Sequence, residues 1–521
     1  MSIFTTTERA RLNYSTFNLS HDKKFSFNMG DLIPTLVQEV VPGDNFSIST
    51  QQMLRLMPMV SPVMHEVNVY NHFFYVPNRI LWDGFEEFLT GDRDGKDVRV
   101  TPRCSDDGIF SCGMGSLGDY LGLPTGQDLK DISALPFAAY QMIYNEFYRD
   151  QNLIEDLTDY IMLKDGYQDQ QGALELYKLR KRAWGHDYFT SCLPYAQKGE
   201  PVKIPLFSNS DLIGLSFVPT AGQTKVYDAK GQTITAEHQL GNNGADVVFD
   251  TTQQAGNDLR ANIDVTENTF LDPDNAVGNL ASIVDFRRAF KLQEYMERLM
   301  RGGSRYSEWV KSFFNQDTGD SRVNRPEFLG GNSSPIMISE VLQASETNET
   351  PLGEMGGHGV NVGRGGSINR KITEHGFIIG IMSVIPKTAY QQGVQRMWRK
   401  HDKFDHFTPQ FEHIGEQEVY NWEIFADGTE EDNGVFGYIP RYAEYKYNPS
   451  TVHGYLKSSL SNWHLGNIYA ERPTLSKEFI ECKPRHDIFA ITDENEHKLI
   501  CQLFLNIKAK RPMSYYSNPK F

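Results

Sequence analysis

Apolar and polar residues alternate near both ends of this chain with the period of a β-strand. Phe25, Phe27 and Met29 alternate with Ser26 and Asn28, which puts apolar side chains on one face and polar ones on the other. Val40-Val41-Pro42-Gly43-Asp44 reads as a turn, and Phe46, Ile48 and Thr50 open a second strand. Met57-Pro58 to Ser61-Pro62 reads as a loop of locally fixed φ. Val67 to Val76 is a long aromatic strand stopped by Pro77. Phe377 to Ile385 is an unbroken apolar run of strand length, which predicts a strand buried on both faces. Leu499, Cys501, Leu503, Leu505 and Ile507 alternate strictly with Ile500, Gln502, Phe504, Asn506 and Lys508. Strands from both chain ends, separated by long helical and loop excursions, predict a mainly β fold of jelly-roll type.

The excursions have their own patterns. Ile132 to Tyr148 predicts a helix that Ser133 could cap, with Phe137, Tyr140, Tyr144, Phe147 and Tyr148 on one side. Leu174 to Arg182 is a weaker helical pattern. Phe286 to Met300 is the clearest helix, ended by Gly302-Gly303, and Tyr306 to Phe314 predicts another. The stretch 91–130 is rich in Gly and Asp and has little periodicity. Arg325 to Gly331 reads as a loop. So does 353–366, where seven of the residues are glycine. Residues 1–24 are polar and read as an extended arm. Residues 201–285 hold four basic against eleven acidic residues among many Thr, Asn, Gln and Gly. That composition predicts a surface insertion with small hairpins, as at Thr224 to Asp228 and Thr233 to Glu237. No internal repeat is visible.

Composition narrows the function classes. At 521 residues length alone suggests about three domains, but a large β fold with insertions breaks that rule. Phe (32) and Tyr (25) are abundant, which favours strands over helical bundles. A net charge of −16 excludes a dedicated nucleic-acid binder, whose affinity comes from neutralising phosphates. One face or tail can still be basic. The five cysteines, at 104, 112, 192, 482 and 501, form no CxxC, and their odd number predicts free thiols in a reducing compartment. The N-terminal MSIFTTTERARLNYS has no apolar core of a signal peptide. No run approaches the ~20 apolar residues of a membrane span.

Catalytic grammar is sparse. Gly113-Met114-Gly115-Ser116-Leu117-Gly118 matches GxGxxG, but a phosphate cradle needs a strand before it and a helix after it. Here a polar, turn-rich stretch precedes it and Leu123-Pro124 follows, so a loop is expected. His401, His406 and His413 lie near Asp402, Asp405 and Glu412 without the spacing of a zinc site. Asp272 and Asp274 lack the remaining ligands of a calcium loop. Neither GxSxG nor GxxxxGK[ST] occurs, so neither a catalytic site nor a cofactor is expected. Lys508, Lys510 and Arg511 cluster after the last strand, with Tyr515 and Tyr516 following. Such residues can contact phosphates and stack on unpaired bases; a solvated strand exit with a tail packed on a neighbour is the alternative.

Several ordered blocks resemble the major capsid proteins of the Microviridae, most closely those of the gokushovirus branch. They are FSFNMGDLIPTLVQEVVPGDNFSIS (25–49), FFYVPNRILWDGFEEFLTG (73–91), FRRAFKLQEYMERLMRGGSRYSEWVKSFF (286–314) with RPEFLGG (325–331), and IKAKRPMSYYSNPKF (507–521). The resemblance implies a viral-coat jelly roll of eight antiparallel strands with large insertions. It implies a T=1 icosahedral shell of identical copies around a circular single-stranded DNA genome, assembled in the bacterial host cytoplasm. The partners it implies are a small basic DNA-binding virion protein, a scaffolding or pilot protein, and a host-surface receptor such as a glycan or lipopolysaccharide. Residues 201–285 fall where the family carries a three-fold protrusion, the expected host-attachment element. Trp82 and Phe85 in the second block, and Arg325 and Phe328 in the third, are the candidates for fold or subunit contact. The competing reading is a carbohydrate-binding or carbohydrate-cleaving jelly roll, which needs a pair of carboxylates that the sequence does not identify.

Overall fold

A computed structural model describes residues 12–91, 99–105, 109–169, 174–200, 202, 241–242, 247–248, 283–303, 305–342, 355–491, 493 and 496–516. The strands, in chain order, begin with β1 (Ser15–Asn18), β2 (His21–Phe27), β3 (Ile33–Val40), β4 (Asn45–Leu56) and β5 (Val67–Pro77). Two-residue pairs follow: β6 (Ile109–Phe110) with β7 (Leu129–Lys130), and β8 (Gly241–Asn242) with β9 (Val247–Val248). Next come β10 (Glu327–Pro335), β11 (Met337–Leu342), β12 (Met355–Arg364), β13 (Ile368–Lys371) and β14 (Gly376–Pro386). The last are β15 (Glu416–Tyr420), β16 (Val435–Pro440) and β17 (Leu499–Arg511).

Two antiparallel sheets carry the architecture. In the first, β17 lies beside β4, β4 beside β12, and β12 beside β11. The other edge of β17 is shared, with β2 along Leu499–Leu505 and β1 along Lys508–Arg511. On the far side of β4, β12 and β13 divide that edge in the same way. The second sheet runs β10-β5-β14-β3. The chain is thus mainly β and antiparallel, as its alternation predicts.

Burial explains which patterns alternate. The odd-numbered side chains of β17, from Leu499 to Ala509, point into the space between the sheets. They meet Phe46, Ile48, Leu54 and Leu56 of β4 and Val67, Val69, Phe73, Tyr75, Ile378, Met382 and Val384 of the second sheet. The second sheet's opposite face is covered as well. Phe74, Val76, Ile379 and Ile381 pack beneath the helix Leu135–Ile143, together with Leu81 and Trp82. That double coverage is why β14 is apolar at nearly every position. Among the described residues the first sheet has no such cover, and its outward positions are mostly polar or charged, with Met53, Val362, Ile500 and Phe504 among them. A third cluster, with Tyr188, Phe189, Tyr390, Val419, Ile424 and Phe436, lies in the excursion after β14 and in the 183–193 segment that packs on it.

Five expectations need correction. Residues 353–366 are not an irregular loop, because Met355–Arg364 form β12. The glycines there admit close neighbours: a Cβ on Gly357 would lie 2.5 Å from the Ser61 carbonyl oxygen. Arg325 to Gly331 is a loop only at its start, since β10 begins at Glu327 and bulges between Phe328 and Gly330. The arm is in part sheet: 15–18 and 21–27 pair with the chain's own β17, while 1–11 lie outside the described residues. Leu174 to Arg182 holds one helical turn at 174–176. Beyond it Arg180 is buried, its Nε donating to Gln141 Oε1 at 2.7 Å, and Lys181 bridges to Asp31. The helix expected over 132–148 spans Leu135–Ile143 and widens into a π turn over Tyr144–Tyr148.

Helices Ile283–Gly302 and Tyr306–Phe314 agree with their periodicity. Contacts divide the chain into one unit of Met1–Lys198 with Met296–Phe521, and a second of Gly199–Tyr295. Most of 201–285, with its expected hairpins and with Asp272 and Asp274, lies outside the described residues.

Candidate nucleic-acid and assembly surfaces

Alternation in an exposed sheet collects every second residue of each strand on one face, whatever their distance in sequence. On the first sheet this outward face is basic. The register sets Lys510 opposite Asn45 and Asn45 opposite Lys371. The next outward row is Asn18, Lys508, Ser47 and Asn369. Further along come Asp22, Phe504, Gln51 and Arg364, then Lys24, Gln502, Met53 and Val362. Ser26, Ile500, Arg55 and Val360 follow.

Lys24, Arg55, Arg364, Lys371, Lys508 and Lys510 are all exposed. Among the described residues, none of these six has a carboxylate within 4 Å. Among the described outward positions of these strands, Asp22 is the one carboxylate. Phe504, Ile500, Met53 and Val362 add apolar surface to the same face, being 36, 49, 39 and 78% exposed. The strip runs roughly 34 Å along β17, ten residues at about 3.4 Å each. Near its middle, Gln51, Met53, Val362, Arg364, Gln502 and Phe504 line a shallow depression of about 510 Å³.

Burial separates these cations from their neighbours. Lys23, one residue before Lys24, points inward. Its Nζ donates to the carbonyl oxygens of Pro34 at 2.9 Å and Tyr120 at 2.5 Å, and burial lowers its pKa to about 8. Arg511 is likewise committed within the chain. Its guanidinium lies 3.2 Å from the buried carboxylate of Asp44, donates to the Glu39 carbonyl oxygen at 2.6 Å, and covers the Phe46 ring at 5.3 Å. Tyr515 donates to the Thr16 carbonyl oxygen at 2.6 Å, with its ring 5.2 Å from Phe17. Tyr516 is 80% exposed. Of the five expected DNA-contact residues, Lys508, Lys510 and Tyr516 therefore face solvent, Arg511 is committed to the sheet, and Tyr515 is tied to the sheet through its hydroxyl while remaining 65% exposed. Lys24, Arg55, Arg364 and Lys371 do not stand out in the sequence: Lys24 and Lys371 each adjoin one cation, Lys23 and Arg370, that the strand turns to the opposite face, and Arg55 and Arg364 adjoin none. Their signal is positional: each stands at a solvent position of an alternating strand, as Arg55 does between Leu54 and Leu56.

Trp82 and Arg325 anchor the fold around the second sheet. Trp82 is 2% exposed and donates from Nε1 to Asp165 Oδ1 at 2.6 Å. Phe85 starts the helix Phe85–Thr90 and stays half-buried, its ring 6.0 Å from that of His375. Arg325 pairs with Asp320 at 2.6 Å and stacks over Phe147 at 5.2 Å. Phe328 sits on the edge strand β10, packed on Phe74 at 5.4 Å and on His72 at 5.8 Å, yet 48% exposed. Of these four, it and Phe85 have surface left to offer another molecule.

The carboxylates that a sugar-cleaving site would need are otherwise engaged in a cavity walled by several aromatic rings. That cavity, about 240 Å³, contains Tyr188, Tyr390, Tyr445, Glu423 and Glu444. Glu423 is held by Arg396 at 3.2 Å and by the Tyr188 hydroxyl at 2.9 Å. Glu444 accepts from Gln417 at 2.8 Å and faces Lys400 at 3.6 Å. Of the GxGxxG glycines, Gly113 and Gly115 precede a five-residue helix, Leu117–Leu121, whose N-cap is Ser116, and Gly118 lies within it. Among the described residues no three His, Cys, Asp or Glu side chains gather as metal ligands. All five cysteines are free and buried, and burial pushes the Cys104 and Cys501 thiols up to about 12.

Residues 5–521 match the family described as capsid protein (F protein). The chain is 33% identical over 581 residues to capsid protein VP1 of Chlamydia phage 1, covering 99% of this chain and 97% of that protein. It is 34% identical to capsid protein VP1 of Bdellovibrio phage phiMH2K over 97% of this chain and 95% of that one. Against capsid protein VP1 of Spiroplasma virus 4 the identity is 33%, with the same coverage of 97% and 95%.

Proposed function

The chain belongs to the capsid protein (F protein) family of phages, and from that premise we propose that it is the major capsid protein of a gokushovirus-like bacteriophage, a structural subunit without catalytic turnover. The observation that carries this is the agreement of family, along nearly the whole chain, with the order of the two sheets. Counting β1 with β2 as one broken strand, and β11 to β13 as one strand with its hairpin, eight strands divide equally between the sheets. The first sheet then holds strands one, eight, three and six, and the second holds two, seven, four and five. That order supports the jelly roll of viral coats. The long insertions follow β5 and β14, spanning 78–326 and 387–498.

Assembly is then the function. Identical copies of the subunit close a T=1 shell through isologous two-fold and heterologous three- and five-fold contacts around a circular single-stranded DNA. Half-exposed Phe328 on an edge strand and half-buried Phe85 supply the sort of partial burial that a neighbouring copy completes. The insertion 201–285 serves host attachment, toward a glycan or lipopolysaccharide receptor. A small basic virion protein and a scaffolding or pilot protein complete the particle.

The test is expression of the full chain, alone and with the phage's small basic protein, followed by electron microscopy of the soluble fraction. Uniform small icosahedral shells are expected. Monomers in both conditions, with and without added scaffold, would overturn the reading. Shells lacking 201–285 should form and fail to adsorb to host cells.

A further inference from the structure

The cavity that contains Glu423 and Glu444 has no part in the coat reading. We propose that it is a binding site for a phenol, a neutral aromatic ring with one hydroxyl, held through that hydroxyl by the Lys400–Glu444 pair. The site goes beyond the coat reading and does not depend on it.

Charge sets the first limit on the ligand. Two cations, Arg396 and Lys400, and two carboxylates, Glu423 and Glu444, line the space of about 240 Å³. Their formal charges cancel. An anion would lie beside two carboxylates and a cation beside two cationic groups, so the site favours a neutral ligand.

Hydrogen bonding sets the second. The Glu423 carboxylate already accepts from the Tyr420 amide at 3.1 Å, from Arg396 at 3.2 Å and from the Tyr188 hydroxyl at 2.9 Å. The other pair is open. Lys400 Nζ lies 3.6 Å from Glu444 Oε1, beyond hydrogen-bond reach, although the two side chains are only 9 and 12% exposed. A nearly buried ion pair needs close geometry and further hydrogen bonds to offset its desolvation. A hydroxyl oxygen about 2.8 Å from each atom accepts from the ammonium, donates to the carboxylate and closes the gap.

The walls set the third. Phe189 lies 5.1 Å from the ring of Tyr188 and 4.7 Å from that of Tyr390. The hydroxyls of those two tyrosines donate to Glu423 and, at 2.6 Å, to Asp187, so what they offer a ligand is ring surface. Tyr445 lies under Lys400, its ring centre 3.8 Å from Nζ, and with Met397 it is exposed enough to form a mouth. Aromatic rings pack well on such walls. A sugar fits them less well, because it brings several hydroxyls to one open donor–acceptor pair.

The experiment is fluorine NMR titration of the full-length chain with four probes: 4-fluorophenol, fluorobenzene, 4-fluorobenzoate and 4-fluorobenzylammonium. 4-Fluorophenol should bind about ten-fold or more tightly than each of the others, as a hydrogen bond to a charged group commonly gives. Lys400→Met keeps most of the aliphatic stem and removes the donor. It should bring the affinity ratio of 4-fluorophenol to fluorobenzene down to about two-fold or less. Lys403→Met, outside the cavity lining, should leave the ratio unchanged. Met397→Ala, at the exposed mouth, leaves the buried pair intact and should weaken both probes about three-fold at an unchanged ratio.

Equal affinity of the unaltered chain for 4-fluorophenol and fluorobenzene overturns the proposal. So does preference for either charged probe, or displacement of 4-fluorophenol by an equal concentration of glucose. A folded Lys400→Met chain that keeps the original ratio overturns it as well. If that variant does not fold, Met397→Ala decides the location, and binding unweakened by it places the phenol elsewhere and overturns the proposal. Competition then separates two sources of the same chemistry. N-acetyltyrosinamide displacing 4-fluorophenol at a lower concentration than p-cresol identifies a tyrosine of another protein chain, and the reverse order identifies a free phenol; either order supports the site. Binding is read whether or not the chain forms shells, so failure of the coat reading leaves this result standing.

Discussion

His72 shows at the scale of one residue how the excursions are joined to the sheets. It projects from the second sheet on the side covered by the 132–148 helix. Its Nδ1 lies 2.7 Å from the Tyr148 hydroxyl, and its ring contacts Phe74 and Phe328. Burial, with the nearby charge of Arg182, lowers its pKa from 6.5 to about 4. The folded state therefore resists protonation that the unfolded chain accepts. The stability this group contributes is complete above about pH 6.5 and is lost progressively as the pH falls from there through about 4. The loss amounts to up to about 3 kcal/mol. Denaturation midpoints from pH 7 to 4 should fall more steeply for the native chain than for His72→Gln. Parallel curves would remove His72 from the acid response. Trp82 supports the same region by packing and by its hydrogen bond to Asp165. Trp82→Ala should cost about 3–5 kcal/mol in thermal or chemical denaturation, and Trp82→Phe distinctly less.

Strand β12 makes the corresponding point for a whole element. Seven glycines in fourteen residues (353–366) argue locally for irregular backbone. The segment is a strand all the same, because its glycines answer to what lies across from them. At Gly357 a Cβ would meet the Ser61 carbonyl oxygen at 2.5 Å and Pro62 Cα at 3.0 Å. Those are backbone atoms that cannot swing aside. Gly357→Ala should destabilise by about 1–3 kcal/mol, whereas Val362→Thr on the open face should change stability by well under 1 kcal/mol; denaturant titration separates the two. A mismatch of this kind marks the limit of what was legible in the chain. Where one side of a strand is buried and the other wet, as in β4 and β17, alternation reveals the element and its facing residues directly. Where close approach of another segment selects glycine, as in β12, the cause lies in a partner distant in sequence. The candidate site divides in the same way. Lys508 and Lys510 stood out because they adjoin one another, but Lys24, Arg55, Arg364 and Lys371 come together only through a register that joins strands far apart in the chain. Arg511 is the converse case: its charge stands in the sequence cluster, but the fold pairs it with Asp44.

For the molecule as a whole, the order of synthesis and the order of the sheet are in tension. β17 is made last, yet it lies centrally in the first sheet, between β4 on one side and β1 with β2 on the other. Until it arrives, both neighbours have open edges, and the inner faces of Phe46, Ile48, Leu54 and Leu56 lack their cover. β17 itself buries Leu499, Leu503, Leu505 and Ile507 to 0% exposure and Cys501 to 1%. At about 1.5–3 kcal/mol for each large apolar side chain, its loss removes on the order of 10 kcal/mol, comparable to the whole net stability of a typical domain. The exposed edges would in addition invite pairing between chains. A chain ending at Lys498 should therefore be recovered almost wholly in aggregates. One ending at Arg511 keeps β17 and the Arg511–Asp44 pair, gives up the Tyr515 contact with β1, and should remain soluble. Sedimentation of the two truncations beside the full chain decides the matter. Soluble, folded protein from the shorter chain would mean that the first sheet closes without its central strand, and that pairing along β17 is not what completes the fold.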